Sequence, residues 1–263
     1  MLLIKGAGDI ASGIACRLFR SGYRLVMTDL YEPTAVRRTV CFCEAVRSGS
    51  ACVEHIVAER ADTASEAEAV LKRGNIPVIP ADKAFGVTAS MPPAAVIDAR
   101  LAKVNPDTQI SEAPVVIGIG PGFTAGLDCH AVVETKRGHY LGRVLYQGCA
   151  IPNTGIPGNI GGFTEERVLR APCGGVFMPL RQIGDSVAAG DIIATVNGMP
   201  VTAKISGLLR GLLPKGITVF SGMKSGDIDP RNEADYCLSV SDKALSVGGG
   251  VLEALLHFSC LPD

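Results

Sequence analysis

Tryptophan is absent from this 263-residue chain, and aromatic residues make up only 5% of it. The interior must therefore be built from aliphatic side chains, which together with 31 glycines suits an α/β fold with many tight turns. Charge of one sign is also lacking: 25 Lys and Arg stand against 26 Asp and Glu. Neither nucleic acid nor an anionic membrane is expected as a partner, and any anion site must be local. No apolar run reaches the roughly 18 residues that a bilayer requires; even Leu208 to Leu213 is interrupted by Arg210. A basic leader is missing too, since Leu2-Leu3-Ile4 runs straight into Lys5 and glycines, so folded structure is expected from the first residue. The nine cysteines are scattered and odd in number, which reads as thiols in a reducing compartment and gives a cytoplasmic expectation.

What is present divides the chain. Leu2 to Ile4 reads as a buried strand, and Ile10, Ile14 and Leu18 then recur at helical spacing before Gly22. Short β-branched runs predict further strands at Leu25 to Thr28, Ile76 to Ile79, Ala95 to Ile97, Val115 to Ile119 and Ala131 to Val133. Thr63 to Arg73 carries Ala67, Val70 and Leu71 at helical spacing, and strand, helix, strand implies a parallel sheet. After about residue 165 helical periodicity disappears, and Gly175, Gly184, Val187 and Gly190 recur as Gly207, Gly216, Val219 and Gly222. One short-stranded unit repeats, and two such halves must pack on each other to bury a face. The expected organisation is a Rossmann-like parallel-sheet domain over 1–165, a small all-β domain over 166–226 and a helical tail over 227–263. Gly248 to Gly250 fall in or before that final helix, where close backbone packing or a ligand would account for them.

Gly6-Ala7-Gly8-Asp9-Ile10-Ala11 matches the G-x-G-x-x-G/A fingerprint between a strand and a helix, with Gly13 following on the same helix. The glycines permit a tight turn and close backbone approach to a pyrophosphate, while helix N–H groups face the anion. Asp29 ends the second strand, where a carboxylate accepts from a ribose hydroxyl. Asp9 is discordant, because a carboxylate repels a pyrophosphate unless it points away or caps the helix. Arg37 and Arg38 offer either a bidentate phosphate clamp or a solvated helix face. Gly118, Gly120 and Gly122 follow a strand end as a second glycine-rich loop, either an anion nest or a plain turn. Cys41, Cys43, Cys52 and His55 do not complete a zinc spacing, and no metal site is read. Asp128, His130, Glu134 and His139 form the densest titratable cluster, without a nucleophile to serve.

These motifs, with Arg37-Arg38-Thr39-Val40, Gly120-Pro121-Gly122-Phe123, Glu134-Thr135-Lys136-Arg137-Gly138-His139, Asn153-Thr154-Gly155-Ile156-Pro157-Gly158, Asp227-Ile228-Asp229-Pro230-Arg231 and Ser241-Asp242-Lys243, run nearly end to end. Through them the chain resembles the YqeB family of selenium-dependent molybdenum hydroxylase system proteins. The resemblance implies an accessory role in maturing such a hydroxylase as client enzyme, by handling a nucleotide-bearing cofactor or the selenium attached to it. Molybdopterin cytosine dinucleotide is the natural candidate ligand. The alternative, resting on the fingerprint and Asp29, is an NAD(P)-dependent oxidoreductase, which lacks a convincing catalytic group. The repeat region is similar to a biotinyl/lipoyl-like hammerhead, but its hairpin Val196-Asn197-Gly198-Met199-Pro200 carries no lysine. Lys204 is expected in the following strand, so a swinging-arm carrier is not expected.

Overall fold

The computed structural model describes residues 1–259 and is a mixed α/β protein with one large, mostly parallel sheet and further antiparallel sheets. It divides into two compact units: Met1–Pro33, Cys41–Thr154 and Val240–Asp263 form the first, Thr34–Val40 and Gly155–Ser239 the second.

In the first unit the chain runs β1 (Leu2–Lys5), α1 (Asp9–Arg20), β2 (Leu25–Asp29), α2 (Glu44–Ser48), β3 (Ser50–Val53), β4 (Ile56–Arg60), α3 (Ala64–Lys72), β5 (Ile76–Pro80), α4 (Ala84–Ser90) and β6 (Ala95–Asp98). It continues through β7 (Val115–Ile119), β8 (Thr124–Ala125), β9 (Ala131–Val133), β10 (Val144–Leu145) and β11 (Gly148–Cys149), and α5 (Asp242–His257) completes it. The sheet order is β10-β9-β7-β6-β1-β2-β5-β4-β3, parallel from β9 to β4 with an antiparallel strand at each edge. All the predicted strands of this sheet are present, because each is a short, continuous apolar run buried on both faces. The hairpin β3–β4 had no sequence signal. Its turn residues Glu54 and His55 hold φ of 46° and 70°, a conformation that usually announces itself with Gly or Asn.

Helix α1 buries Ile10, Ile14 and Leu18 as their spacing requires, and Gly22 at φ 89° ends it. Its other face accepts α5. A Cβ on Gly13 would come within 2.9 Å of Val240 Cγ1 and would also press on Ala244. The glycine run of α5 has the same cause. A Cβ on Gly248 would lie 3.0 Å from Arg17 Cβ, and one on Gly250 would lie 2.8 Å from Val133 Cγ1, while Gly249 faces open space. Close backbone packing accounts for two of these three glycines.

The second unit contains β12 (Val168–Arg170), β13 (Gly175–Pro179), β14 (Ser186–Val187), β15 (Ile192–Val196), β16 (Met199–Thr202), β17 (Gly207–Leu212), β18 (Thr218–Val219) and β19 (Lys224–Asp229). They form two four-stranded antiparallel sheets, β12-β19-β17-β14 and β16-β15-β13-β18. The 32-residue repeat is written into the backbone. Gly175 pairs with Val219 while Val187 pairs with Gly207, so each half supplies a strand to the other's sheet. Gly184 N–H donates to Leu209 O and Gly216 N–H donates to Phe177 O, and the same exchange relates Gly190 to Ala203 and Gly222 to Ala171. Equivalent positions fill one core: Phe177 with Leu209, and Val196 with Ile228, are all fully buried. Neither half could bury these residues alone.

The units do not follow the divisions at residues 165 and 226. The second begins at Gly155, keeps residues 227–239 because β19 carries the repeat through to Asp229, and also takes in Thr34–Val40. The helix expected in the tail is α5, which belongs to the first unit.

Candidate functional site

Strand order reverses at β1: β2, β5 and β4 lie on one side of it, β6, β7 and β9 on the other. In open parallel sheets, ligands bind in the crevice beyond the carboxyl ends of the strands at such a reversal. Here that crevice is bordered by the Gly6–Gly8 loop after β1 and by Ala99–Arg100 after β6. Gly6 holds φ 98°, and a Cβ there would stand 3.0 Å from Ala99 O, so its glycine is required by the approach of the two loops. Gly8 caps α1 with φ −74° and ψ −170°, and no side chain caps the helix. The first intrahelical bond runs from Ser12 N–H to Gly8 O at 2.8 Å, which leaves the N–H groups of Ile10 and Ala11 as first-turn donors.

Asp29 sits at the end of β2, yet its carboxylate is already engaged. Oδ2 accepts from Ala7 N–H and Oδ1 from Leu30 N–H, both at 2.7 Å, so Asp29 fixes the glycine loop. Burial pushes this carboxyl above the ordinary value against the pull of those two donors. Beside the crevice, buried Asp98 holds a second network. Thr108 Oγ1 donates to Asp98 Oδ2 at 2.7 Å, Arg100 grips both Asp98 oxygens, and Lys5 Nζ donates to Thr108 Oγ1 and Glu112 Oε1 at 2.9 Å each. The network pins the segment after β6, where Leu101 and Lys103 both hold positive φ.

The remaining candidates fall elsewhere. Gly13 faces α5 through its missing Cβ. In the second glycine-rich loop a Cβ would meet Phe123 at Gly118, Thr135 Oγ1 at 2.7 Å at Gly120, and the Val104 backbone at 2.8 Å at Gly122. These three glycines thus have a packing reason. Arg37 and Arg38 lie in the second unit. Buried Arg37 donates to Tyr236 O at 2.9 Å and Ser239 O at 3.0 Å, and Arg38 Nε donates to Leu212 O at 2.9 Å. Each is occupied with backbone carbonyls, a third use beside the clamp and the solvated face.

Three members of the titratable cluster are likewise spent on backbone, while His139 stacks edge-on against Tyr140. His130 Nδ1 accepts from Val116 N–H, Asp128 Oδ2 accepts from Thr124 N–H, and Glu134 accepts from Thr135, Lys136 and Ile151 N–H at 2.7, 2.7 and 2.8 Å. Among the described residues no group of three or more His, Cys, Asp and Glu is placed to hold a metal, and no helix is long and apolar enough to cross a membrane. The hairpin β15–β16 turns at Asn197 and Gly198, with φ of 49° and 81°. Lys204 lies in the bend beyond β16 rather than within a strand.

No protein-family model matches the chain. Solved structures resemble it weakly. An aspartoacylase family protein from Mesorhizobium loti has a TM-score of 0.28 at 12% identity, covering 79% of this chain and 84% of that one. The ectoine utilization protein EutE (DoeB) from Ruegeria pomeroyi has a TM-score of 0.22 at 13% identity, covering 86% and 53%. Neither likeness informs the reading. In sequence, the chain is 49% identical over 256 residues, 97% of its length, to YqeB of Escherichia coli strain K12, a protein whose activity is itself uncharacterized. The chain is related to YqeB along nearly its whole length and spans about half of that protein, 47%.

Proposed function

We propose that this protein is an accessory factor for the maturation of a selenium-dependent molybdenum hydroxylase and binds a nucleotide-bearing cofactor at the carboxyl end of β1. The observation that carries the proposal is the uncapped first turn of α1 at the point where strand order reverses. The N–H groups of Ile10 and Ala11 and the positive end of a 12-residue helix meet there, which suits a phosphate group. The Gly6–Gly8 loop, β1 and α1 would then form a Rossmann-like unit, and Asp29 would steady that loop from β2. Asp9, in the same turn, is within electrostatic range of the Lys243 amine, which offsets its repulsion of a phosphate. The hydroxylase role rests on the resemblance carried by the motif set, and the 49% identity to YqeB gives the relation alone. The repeat unit would be a hammerhead-like module without a carrier lysine, serving to dock the client enzyme.

The cofactor on this reading is a dinucleotide of the molybdopterin cytosine type. An NAD(P)-dependent oxidoreductase would use the same loop, with Asp29 toward the ribose, and the two readings separate in one measurement. Protein produced beside its client hydroxylase should release, on denaturation, a species whose mass contains cytidine phosphate. Release of NAD(P) would favour the oxidoreductase, and release of neither across repeated preparations would overturn the nucleotide reading.

A further inference from the structure

The two sheets of the repeat unit are built alike and covered differently. On β13, Phe177 points into the shared core, so Val176 and Met178 point out. Their repeat equivalents on β17 are Leu208 and Arg210. Those two are buried, at 6% exposure each, because the unit's own chain lies over that face. A Cβ on Gly211 would stand 3.1 Å from Val36 O, and Arg210 Nε donates to Tyr236 O at 3.1 Å. Val176 and Met178 keep 44% and 37% exposure, so nothing comparable lies over β13 among the described residues.

The bare face is apolar across the whole sheet. No strand of β16-β15-β13-β18 contains a charged residue, whereas the strands of the covered sheet carry Arg170, Arg210, Lys224, Asp227 and Asp229. Cross-strand pairing sets Met178 beside Thr195 and Val176 beside Thr218. Leu180, Ile192 and Phe220 extend the patch, each about half exposed or more. At roughly 200 Å² for a fully exposed large apolar side chain, these five apolar residues present about 500 Å². On a monomer a patch of this size is often a binding surface. Charge enters only at the margin, where Arg181 and Asp191, the neighbours of Leu180 and Ile192, form an ion pair of 3.6 Å. An apolar centre with a charged rim is the anatomy of a protein interface.

We propose that the outer face of β16-β15-β13-β18 docks on the same face of a second copy of this chain across a two-fold axis. An uncharged surface meets its own copy with no like charges opposed, while a charged partner surface would give up hydration here and gain no counter-ion. Two such faces bury about 1,000 Å² from these side chains alone, which reaches the lower bound for a specific interface, and the threonines between them add to it. An interface of this size makes a weak dimer that dissociates in the micromolar range.

The test is sedimentation velocity of the whole protein over a concentration series, with hydroxyl-radical footprinting of the same samples read by peptide mass. The mass should rise from one copy toward two. Over the same range oxidation of Met178 and Phe220 should fall several-fold, while that of exposed Phe85 in the first unit stays constant. Met178→Lys should weaken association about 100-fold or more, since the two-fold axis brings two unpaired amines into the buried face. Phe85→Lys should associate as the parent does. The footprint is read on the parent, so it decides the matter even where Met178→Lys does not fold. A single copy at every concentration would overturn the proposal, as would a dimer whose Met178 and Phe220 oxidise as fast as in the monomer. Shielding of these residues only when a different protein is added would overturn it too and give the face to that partner.

Discussion

Replacing Gly13 by alanine separates packing from ligand binding at the glycine fingerprint. The new Cβ would lie 2.9 Å from Val240 Cγ1 and 3.1 Å from the Ala244 carbonyl carbon, and it would also collide with Ala244 Cβ. Contacts this short force α1 and α5 apart, and neither can yield easily, since Ser241 and the Arg137–Asp242 pair fix the start of α5. Overpacking of this kind costs about 1–3 kcal/mol, and a clash on two sides belongs near 3. Alanine regains about 1 kcal/mol of helix propensity over glycine, leaving a net loss of about 2 kcal/mol. For a chain of this size that lowers the melting temperature by roughly 4–8 °C. Urea unfolding should show the same loss as a lower midpoint with an unchanged slope. Combining Gly13→Ala with Ala244→Gly should recover part of it, giving a coupling that two independent sites would not show. A Gly13→Ala protein that melts at or above the parent temperature would refute the packing account and return Gly13 to the ligand.

Three other outcomes follow from groups whose partners are defined. Arg37→Ala should destabilise the protein by about 1–3 kcal/mol in urea, because the part-buried carbonyls of Tyr236 and Ser239 lose a charged donor, with Arg37→Lys recovering part; weakened nucleotide binding at unchanged stability would contradict the anchor role. Intact mass from the native host should show no lipoyl or biotinyl addition, and a lipoyl mass on Lys204 would overturn the reading of the Asn197–Gly198 hairpin. Hydrogen bonds from Arg60 and then Lys83 hold the Asp62 carboxyl at about 2, below its ordinary 3.8. The stability it contributes is therefore complete above about pH 4 and is lost as pH falls through about 2, so the deficit of Asp62→Asn relative to the parent should close over that window.

The parts of this fold that could be read from sequence are those fixed by local pattern. Strands such as Val115–Ile119 are apolar throughout because both faces are covered, and the repeat is visible because Gly184, Gly190, Gly216 and Gly222 all hold positive φ. Beyond local pattern, legibility fails. Arg37 and Arg38 follow β2 in sequence, but Thr34–Val40 leaves the first unit, and nothing in those residues announces the departure. Strands β3 (Ser50-Ala51-Cys52-Val53) and β4 (Ile56-Val57-Ala58-Glu59-Arg60) do not alternate polar and apolar residues and meet at a turn without glycine, so their hairpin leaves no trace.

At the candidate site itself, most of the fingerprint is over-explained by packing. Gly6 is required by Ala99, Gly13 by α5, and Asp29 is spent on Ala7 and Leu30. Gly8 differs from Gly6 in its backbone, since φ −74° and ψ −170° are open to any L-residue. Gly8 is the N-cap residue, so on the proposed reading a side chain there competes with a phosphate for the first turn. Gly8→Val should thus leave the melting temperature within the few degrees expected from about 1 kcal/mol of lost N-cap preference. It should remove binding of a cytidine diphosphate probe measured by calorimetry against the parent. If the variant binds the probe as tightly as the parent, the nucleotide does not lie across the α1 N-terminus, and the uncapped turn is a feature of the fold alone.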